Sequence, residues 1–187
     1  HQRILLAAAR IFGEQGYAGA TTRAVAEAAD VNEVTLFRHF GSKKNLMQAV
    51  IAEFSAVPGL DAAMAGQITG RYREDLLKLG THYLTTMLQR RSAILMALCT
   101  AERLTEIREV IAQPPARQRE ILGTYLRQQM AFGVVRRLTD PGLAAQAFFG
   151  MLFDFAINHG LQAPDSRPEI EATVRQFVDI FVQGTIA

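Results

Sequence analysis

Tryptophan is absent from the 187 residues, cysteine occurs once, and there are only four histidines. With Cys99 alone, no disulfide can close within the chain, and the reducing cytoplasm is the expected compartment. Cys99 lies in the apolar run ILMALCTA and reads as a packing thiol, because free cysteine is among the most buried residue types. His1, His39, His82 and His159 are dispersed, with no metal-ligand spacing. A glycine-rich phosphate loop and a nucleophile motif are also missing. No cofactor and no catalytic activity are therefore expected. No apolar run reaches the about 20 residues of a membrane span, so no membrane partner is expected. The apolar opening ILLAAARIF is short, is broken by Arg10 and lacks a small-residue cleavage site, so no signal peptide is expected.

Charge of one sign is scarce as well. The formal net charge is +2. Residues 1–48 carry six basic and four acidic side chains, and the remainder carries 14 of each. The excess is confined to the first quarter and is too small to imply nucleic-acid binding by itself. A hydrophobic content of 49% with 20% charged residues is ample for a packed core.

What is present is concentrated in Thr21–Leu46, TTRAVAEAADVNEVTLFRHFGSKKNL. Thr21 or Thr22 can cap a helix in which Val25, Ala26 and Ala29 recur at helical spacing. Ala26, Ala28 and Ala29 are small enough for a second helix to cross closely. Asp30-Val31-Asn32 breaks the pattern, and Asp tolerates the left-handed conformation that a tight turn needs. Asn32 can cap Glu33 to Phe40. There Leu36 and Phe40 point inward with Val31, and Glu33, Val34, Phe37 and Arg38 stay outward with Thr35 at the edge. A short anchored helix with a displayed face is the geometry of helix-turn-helix readers, whose second helix enters the major groove. Ser42 then caps a helix that starts at Lys43-Lys44. Cations there oppose the helix dipole, which makes sense if a polyanion occupies that end.

The stretch GYAGATTRAVAEAADVNEVTLFRHFGSKKNL resembles the DNA-binding segment of the tetracycline-repressor (TetR) family of bacterial regulators. Gly-Tyr at the end of the first helix, Thr-Thr opening the second, Ala-Glu-Ala-Ala, Thr-Leu-aromatic and Phe-x-Ser-Lys carry the likeness. The chain departs from the family pattern at four places. Asp30 replaces the usual turn Gly, Glu33-Val34 a common Lys-Gly pair, Phe37 a frequent Tyr, and Lys44 an acid. The resemblance implies a DNA-binding domain over residues 1–46 and a helical regulatory domain over 47–187. It also implies a homodimer on a quasi-palindromic double-stranded operator. Thr22, Lys43 (the family's lysine) and Lys44 are expected at phosphates. Arg23, Val34, Thr35, Phe37 and Arg38 are expected at bases or the sugar edge, with Arg38 suited to the O6/N7 edge of guanine. His39 faces a phosphate or bonds the neighbouring turn. A helical interaction module that no longer reads DNA is the competing reading, kept open by Glu33 and the modest charge.

The flanking chain reads as helices throughout, so the fold class is all-α. An amphipathic helix over 2–16 carries Ile4, Leu5, Ala8, Ile11 and Phe12. The helix from Lys43 runs to residue 55, where Pro58-Gly59 stops it and 56–66 form a connector. Helices follow over 68–89 and 92–112, a break is expected at Pro114-Pro115, and the next helix ends at Gly133. Asp140-Pro141 opens another, and Pro168 the last. The helices over 141–160 and 168–183 are apolar on more than one side, which predicts a second copy against them, with burial of both at the centre of a monomeric bundle as the alternative. Ala147, Gly150, Met151, Asp154, Asn158, Val174, Phe177, Val178 and Phe181 are the candidate interface residues. For Asp154 and Asn158, ligand contact is the alternative. The resemblance further implies a small-molecule effector pocket in the helical body. Tyr83, Met87, Met96, Cys99, Arg103, Tyr125, Gln129 and Phe149 are its candidate lining, with plain core packing as the rival for each. Their apolar and aromatic bias suits a hydrophobic or aromatic effector. By the same resemblance, effector binding would shift the helix over 43–55 and respace the two reading helices.

Overall fold

The computed structural model describes residues 1–55, 57–66, 69–91, 94–95, 105–162 and 169–187. The fold is all-α. The helices are α1 (Gln2–Gly19), α2 (Thr22–Ala28), α3 (Glu33–Phe40), α4 (Lys43–Phe54), α5 (Val57–Gly66), α6 (Tyr72–Gln89), α7 (Thr105–Ala131), α8 (Pro141–Gln162) and α9 (Ile170–Thr185). The described residues contain no strand, only an isolated antiparallel bridge between Val135 and Ile186. Two compact units divide the chain. One comprises residues 1–55 and 92–114, the other 56–91 and 115–187.

In the first unit α1 packs on α2 and α4, and α3 packs on α2 and α4. Ile4, Leu5, Ala8, Ile11 and Phe12 supply the α1 stripe expected from the periodicity, and all are buried. They meet Val25, Ala26, Ala29, Leu36, Phe40, Leu46, Met47 and Val50 in one cluster. Gly16, at φ +69°, interrupts the helical backbone inside α1. That kink turns Tyr17 back, with its ring centroid 5.8 Å from that of Phe12.

The α2–α3 turn is closed by two bonds. The Asp30 N–H donates to the Glu27 carbonyl at 3.1 Å, and the Val31 N–H to the Ala26 carbonyl at 3.0 Å. These are the two bonds of a Schellman cap, whose left-handed residue is usually glycine. Here it is Asp30, at φ +52°.

In the second unit α6 packs on α5, α8 and α9. A Cβ at Gly80 would lie 2.8 Å from Val174 Cγ1 and 3.3 Å from Phe148 Cζ, so the bare glycine permits this close approach. Arg73 of α6 pairs with Asp179 of α9. The Asp140 carboxylate accepts from the Gly142 and Leu143 N–H groups at 2.8 and 3.0 Å, capping α8 ahead of Pro141.

Proline placement departs from the sequence expectation twice. Residues 57–66 form α5 rather than a connector, since Pro58 falls in the first turn, where its missing N–H would be unpaired anyway. Helix α7 runs on through Pro114-Pro115. The two prolines cannot donate to the carbonyls one turn back, a typical cost of about 3 kcal/mol for an interior proline. Buried anchors stand on both sides of the pair, Val110 before it and Ile121, Leu122, Tyr125 and Leu126 after it. The boundary between the compact units falls between these prolines. In addition, α6 begins at Tyr72 rather than near Ile68.

Asp30→Val places a β-branched side chain in the left-handed region and is expected to lower stability by about 1–2 kcal/mol. Asp30→Gly should cost nothing or stabilise slightly. Denaturant midpoints of the two variants check the pair.

Candidate nucleic-acid interface

Two side-chain caps set the ends of the helix-turn-helix. The Thr21 hydroxyl accepts from the Ala24 N–H at 3.0 Å, which assigns the α2 cap to Thr21 rather than Thr22. The Asn32 side chain accepts from the Val34 N–H at 2.8 Å. Within α3, Leu36 is fully buried and Phe40 is 8% exposed. The opposite face stands in solvent, with Val34 73% and Phe37 43% exposed. Arg38 and His39 are exposed beside them, and Thr35 is half-exposed. The His39 ring lies edge-on to His1, with centroids 5.9 Å apart.

At the start of α4 the Ser42 hydroxyl accepts from the Asn45 N–H at 3.1 Å. Lys43 and Lys44 follow, both half-exposed. The Lys43 ammonium sits 4.5 Å from the centroid of the Tyr17 ring. This cation–π contact holds the ammonium near the end of α1. Tyr17 thus has a second role that its apolar contact with Phe12 does not reveal.

Thr22 differs from expectation. Its hydroxyl donates to Glu33 Oε1 at 2.6 Å, tying the start of α2 to the start of α3. In this state the hydroxyl hydrogen is committed to a carboxylate and is not offered to a phosphate. Arg23 also has an acidic partner, since its Nε donates to Glu27 at 3.0 Å. The hydrogen bond and charge of Glu27, with a smaller contribution from Glu33, hold the Arg23 guanidinium above its usual pKa. The side chain remains largely solvent-exposed.

Among the effector candidates, Tyr83, Met87, Tyr125, Gln129 and Phe149 are all buried. The Tyr83 and Phe149 rings meet with centroids 4.8 Å apart. Met96, Cys99 and Arg103 lie outside the described residues. The strongest chemistry in this unit is a polar cluster that sequence reasoning missed. Asp75, 1% exposed, accepts from the Tyr125 hydroxyl at 2.8 Å and the Thr69 hydroxyl at 2.9 Å. It also accepts from the Thr69 and Gly70 N–H groups at 2.9 and 3.1 Å. The Tyr72 ring stacks on Tyr125 at 6.2 Å, and its hydroxyl lies 2.7 Å from that of Thr185. The available signal was an acid at position 75 on the same helical stripe as Leu76, Leu79 and Tyr83.

The candidate interface residues separate into two groups. Ala147, Gly150 and Asp154 are exposed, and Met151, Asn158 and Phe177 are half-exposed. Asn158 Nδ2 donates to Asp154 Oδ1 at 2.7 Å within the helix. Val174, Val178 and Phe181 are a correction, because the chain itself buries them. Val174 faces Gly80, and the Phe181 ring centroid is 5.1 Å from that of Phe148. Their spacing of four and three residues marks the inner face of α9, and Phe177 and Ile180 lie off it. The width of the apolar stripe is thus partly consumed inside the chain.

No helix of the described residues is long and apolar enough to cross a membrane. Among the same residues no group of three or more His, Cys, Asp or Glu could hold a metal ion.

A capped helix-turn-helix with an outward reading face defines this chain as a DNA-binding protein of the helix-turn-helix class. Residues 4–50 match the family model for bacterial regulatory proteins of the tetR family. Residues 74–184 match that for the C-terminal domain of AefR-like transcriptional repressors. The chain belongs to the TetR family of transcriptional regulators. The HTH-type transcriptional regulator YvkB of Bacillus subtilis is 28% identical over 190 residues, covering 100% of this chain and 97% of that protein. The HTH-type transcriptional repressor AcnR of Corynebacterium glutamicum is 36% identical over 85 residues, 42% of this chain and 45% of AcnR. The crystal structure of the regulator FadR from Bacillus subtilis in complex with stearoyl-CoA has the same fold, with a TM-score of 0.76 and 17% identity over 98% of each chain.

Burial raises the Tyr72 phenol to about 12 from an ordinary value of 10.0. The same cause raises Tyr83 and, with the help of Asp75, Tyr125. The fold favours the neutral phenol, so this stabilisation is complete below pH 10 and is lost as pH rises through about 12. Melting temperatures should fall steeply across that window, with tyrosinate absorbance appearing together with unfolding. Tyr72→Phe should flatten part of the fall.

Proposed function

We propose that the chain is a repressor that binds a quasi-palindromic operator as a homodimer and is released by a small hydrophobic or aromatic effector. The observation that carries the proposal is the split character of α3, anchored by Leu36 and Phe40 and open at Val34, Phe37 and Arg38. Large apolar side chains held in water on a short, well-capped helix are placed to meet a partner. Residues 1–46 read DNA, and residues 47–187 bind the effector and dimerise. A repressor role is supported by the AefR-like match and by the similarity to the transcriptional repressor AcnR. An effector with a long apolar part is supported by the stearoyl-CoA bound to FadR and by the buried Tyr83–Phe149 contact.

Lys43 and Lys44 neutralise phosphates and supply salt-dependent affinity. Arg38 reads one base pair through its planar fork. Arg23, Thr35, His39 and the apolar pair Val34 and Phe37 line the same face. The two copies meet through the outward sides of α8 and α9, where Ala147 and Gly150 permit close approach. The effector need favour the released state by only about 1–3 kcal/mol of coupling energy.

Binding of variants to a duplex library at two salt concentrations tests the reader. Lys43→Ala should weaken every sequence alike and reduce the salt slope by about 1. Arg38→Ala should relax preference at one position per half-site, a loss of about 1–3 kcal/mol there. Uniform loss for both variants contradicts the assignment. Sedimentation tests the dimer: the unsubstituted chain should run as two copies, and Gly150→Glu should shift it toward one copy while leaving helix content intact.

A further inference from the structure

We infer that Glu33 determines the specificity of this regulator by accepting a hydrogen bond from the exocyclic amine of a cytosine in the major groove. The inference rests on the operator-binding proposal and deepens it. Glu33 is the first residue of α3, and the N-terminal residues of a reading helix are the ones that reach base edges. Its carboxylate can only accept hydrogen bonds. Thr22 donates to Oε1 at 2.6 Å, a short bond that fixes the side chain against the start of α2. The Asn32 cap fixes the backbone beside it. Glu33 remains half-exposed, so its bond to Thr22 does not close the carboxylate off from solvent, and Val34, the next residue, is exposed.

A fixed acceptor of negative charge discriminates among base edges. Guanine shows two acceptors in the major groove, N7 and O6, and thymine shows O4, so each repels a carboxylate. Adenine places its N7 acceptor beside the N6 amine. Cytosine presents the N4 amine as a donor, and it is the base a Glu side chain pairs with. A phosphate also repels the carboxylate, which disfavours binding out of register. The TetR-like pattern commonly has Lys-Gly where this chain has Glu33-Val34, so the preference should be particular to this chain.

Thr22 is a positioning residue in this scheme. It touches no base, and its hydroxyl orients the carboxylate that does.

Selection of bound duplexes from a random pool, with the full chain and its variants, tests the inference. The unsubstituted chain should enrich an inverted repeat with cytosine at one fixed position per half-site, on the order of 10-fold over other bases. Glu33→Ala should flatten that position alone. Glu33→Gln should move the preference toward adenine, because an amide pairs with N6 and N7 together. Thr22→Val should blur the same position, and Thr22→Ser should restore it, a pattern that a merely structural hydroxyl would not produce. Thermal melts confirm that each variant is folded. A repeat that keeps its preferences in Glu33→Ala and Glu33→Gln overturns the assignment of Glu33 and leaves operator binding standing. No repeat from the unsubstituted chain overturns both.

Discussion

The seating of Leu36 and Phe40 in the cluster built by α1, α2 and α4 is the contact on which the DNA-reading surface depends. An eight-residue helix is too short to hold its shape in water alone. Burial of two large side chains one turn apart, with a side-chain cap in front, gives α3 its stability. The same anchoring decides which residues face out. Rotation of α3 by one residue would put Phe37 or Thr35 in the place of Leu36 and turn Leu36 away from the cluster. The outward set of Val34, Phe37 and Arg38 is therefore a consequence of packing on the other side.

The second unit is organised differently. Its core holds an acid, Asp75, with four protein donors around it. Removing any one donor would leave an under-satisfied buried carboxylate, which costs more than a neutral bond is worth. This ties the approach to α6, through Thr69 and Gly70, to Tyr125 of α7. Tyr72 carries the connection to Thr185 near the C-terminus, where Arg136 donates to the Gly184 carbonyl at 2.7 Å.

Local chemistry was legible in the sequence, and tertiary partners were not. The caps at Asn32, Ser42 and Asp140 follow from a polar residue ahead of an apolar periodic run, and the structure shows all three. The left-handed Asp30 was legible from the same logic. The all-α class and the family membership were legible from spacing across some thirty consecutive positions. The prolines misled, because Pro58 falls in a first turn and Pro114-Pro115 are flanked by buried anchors that no local rule weighs. Val174, Val178 and Phe181 misled for a related reason. A wide apolar stripe does not say whether its second side meets a neighbour in the same chain or in another copy. The Thr22–Glu33 and Lys43–Tyr17 contacts join residues eleven and twenty-six positions apart, beyond any helical period.

Backbone amide hydrogen exchange of the full chain, with and without an enriched duplex, tests the reading surface most directly. Protection should appear at the start of α2, along α3 and at the first turn of α4, and it should weaken as salt is raised. Binding that leaves these three segments unprotected, or protection that ignores salt, would contradict the placement of DNA on the outward face of α3.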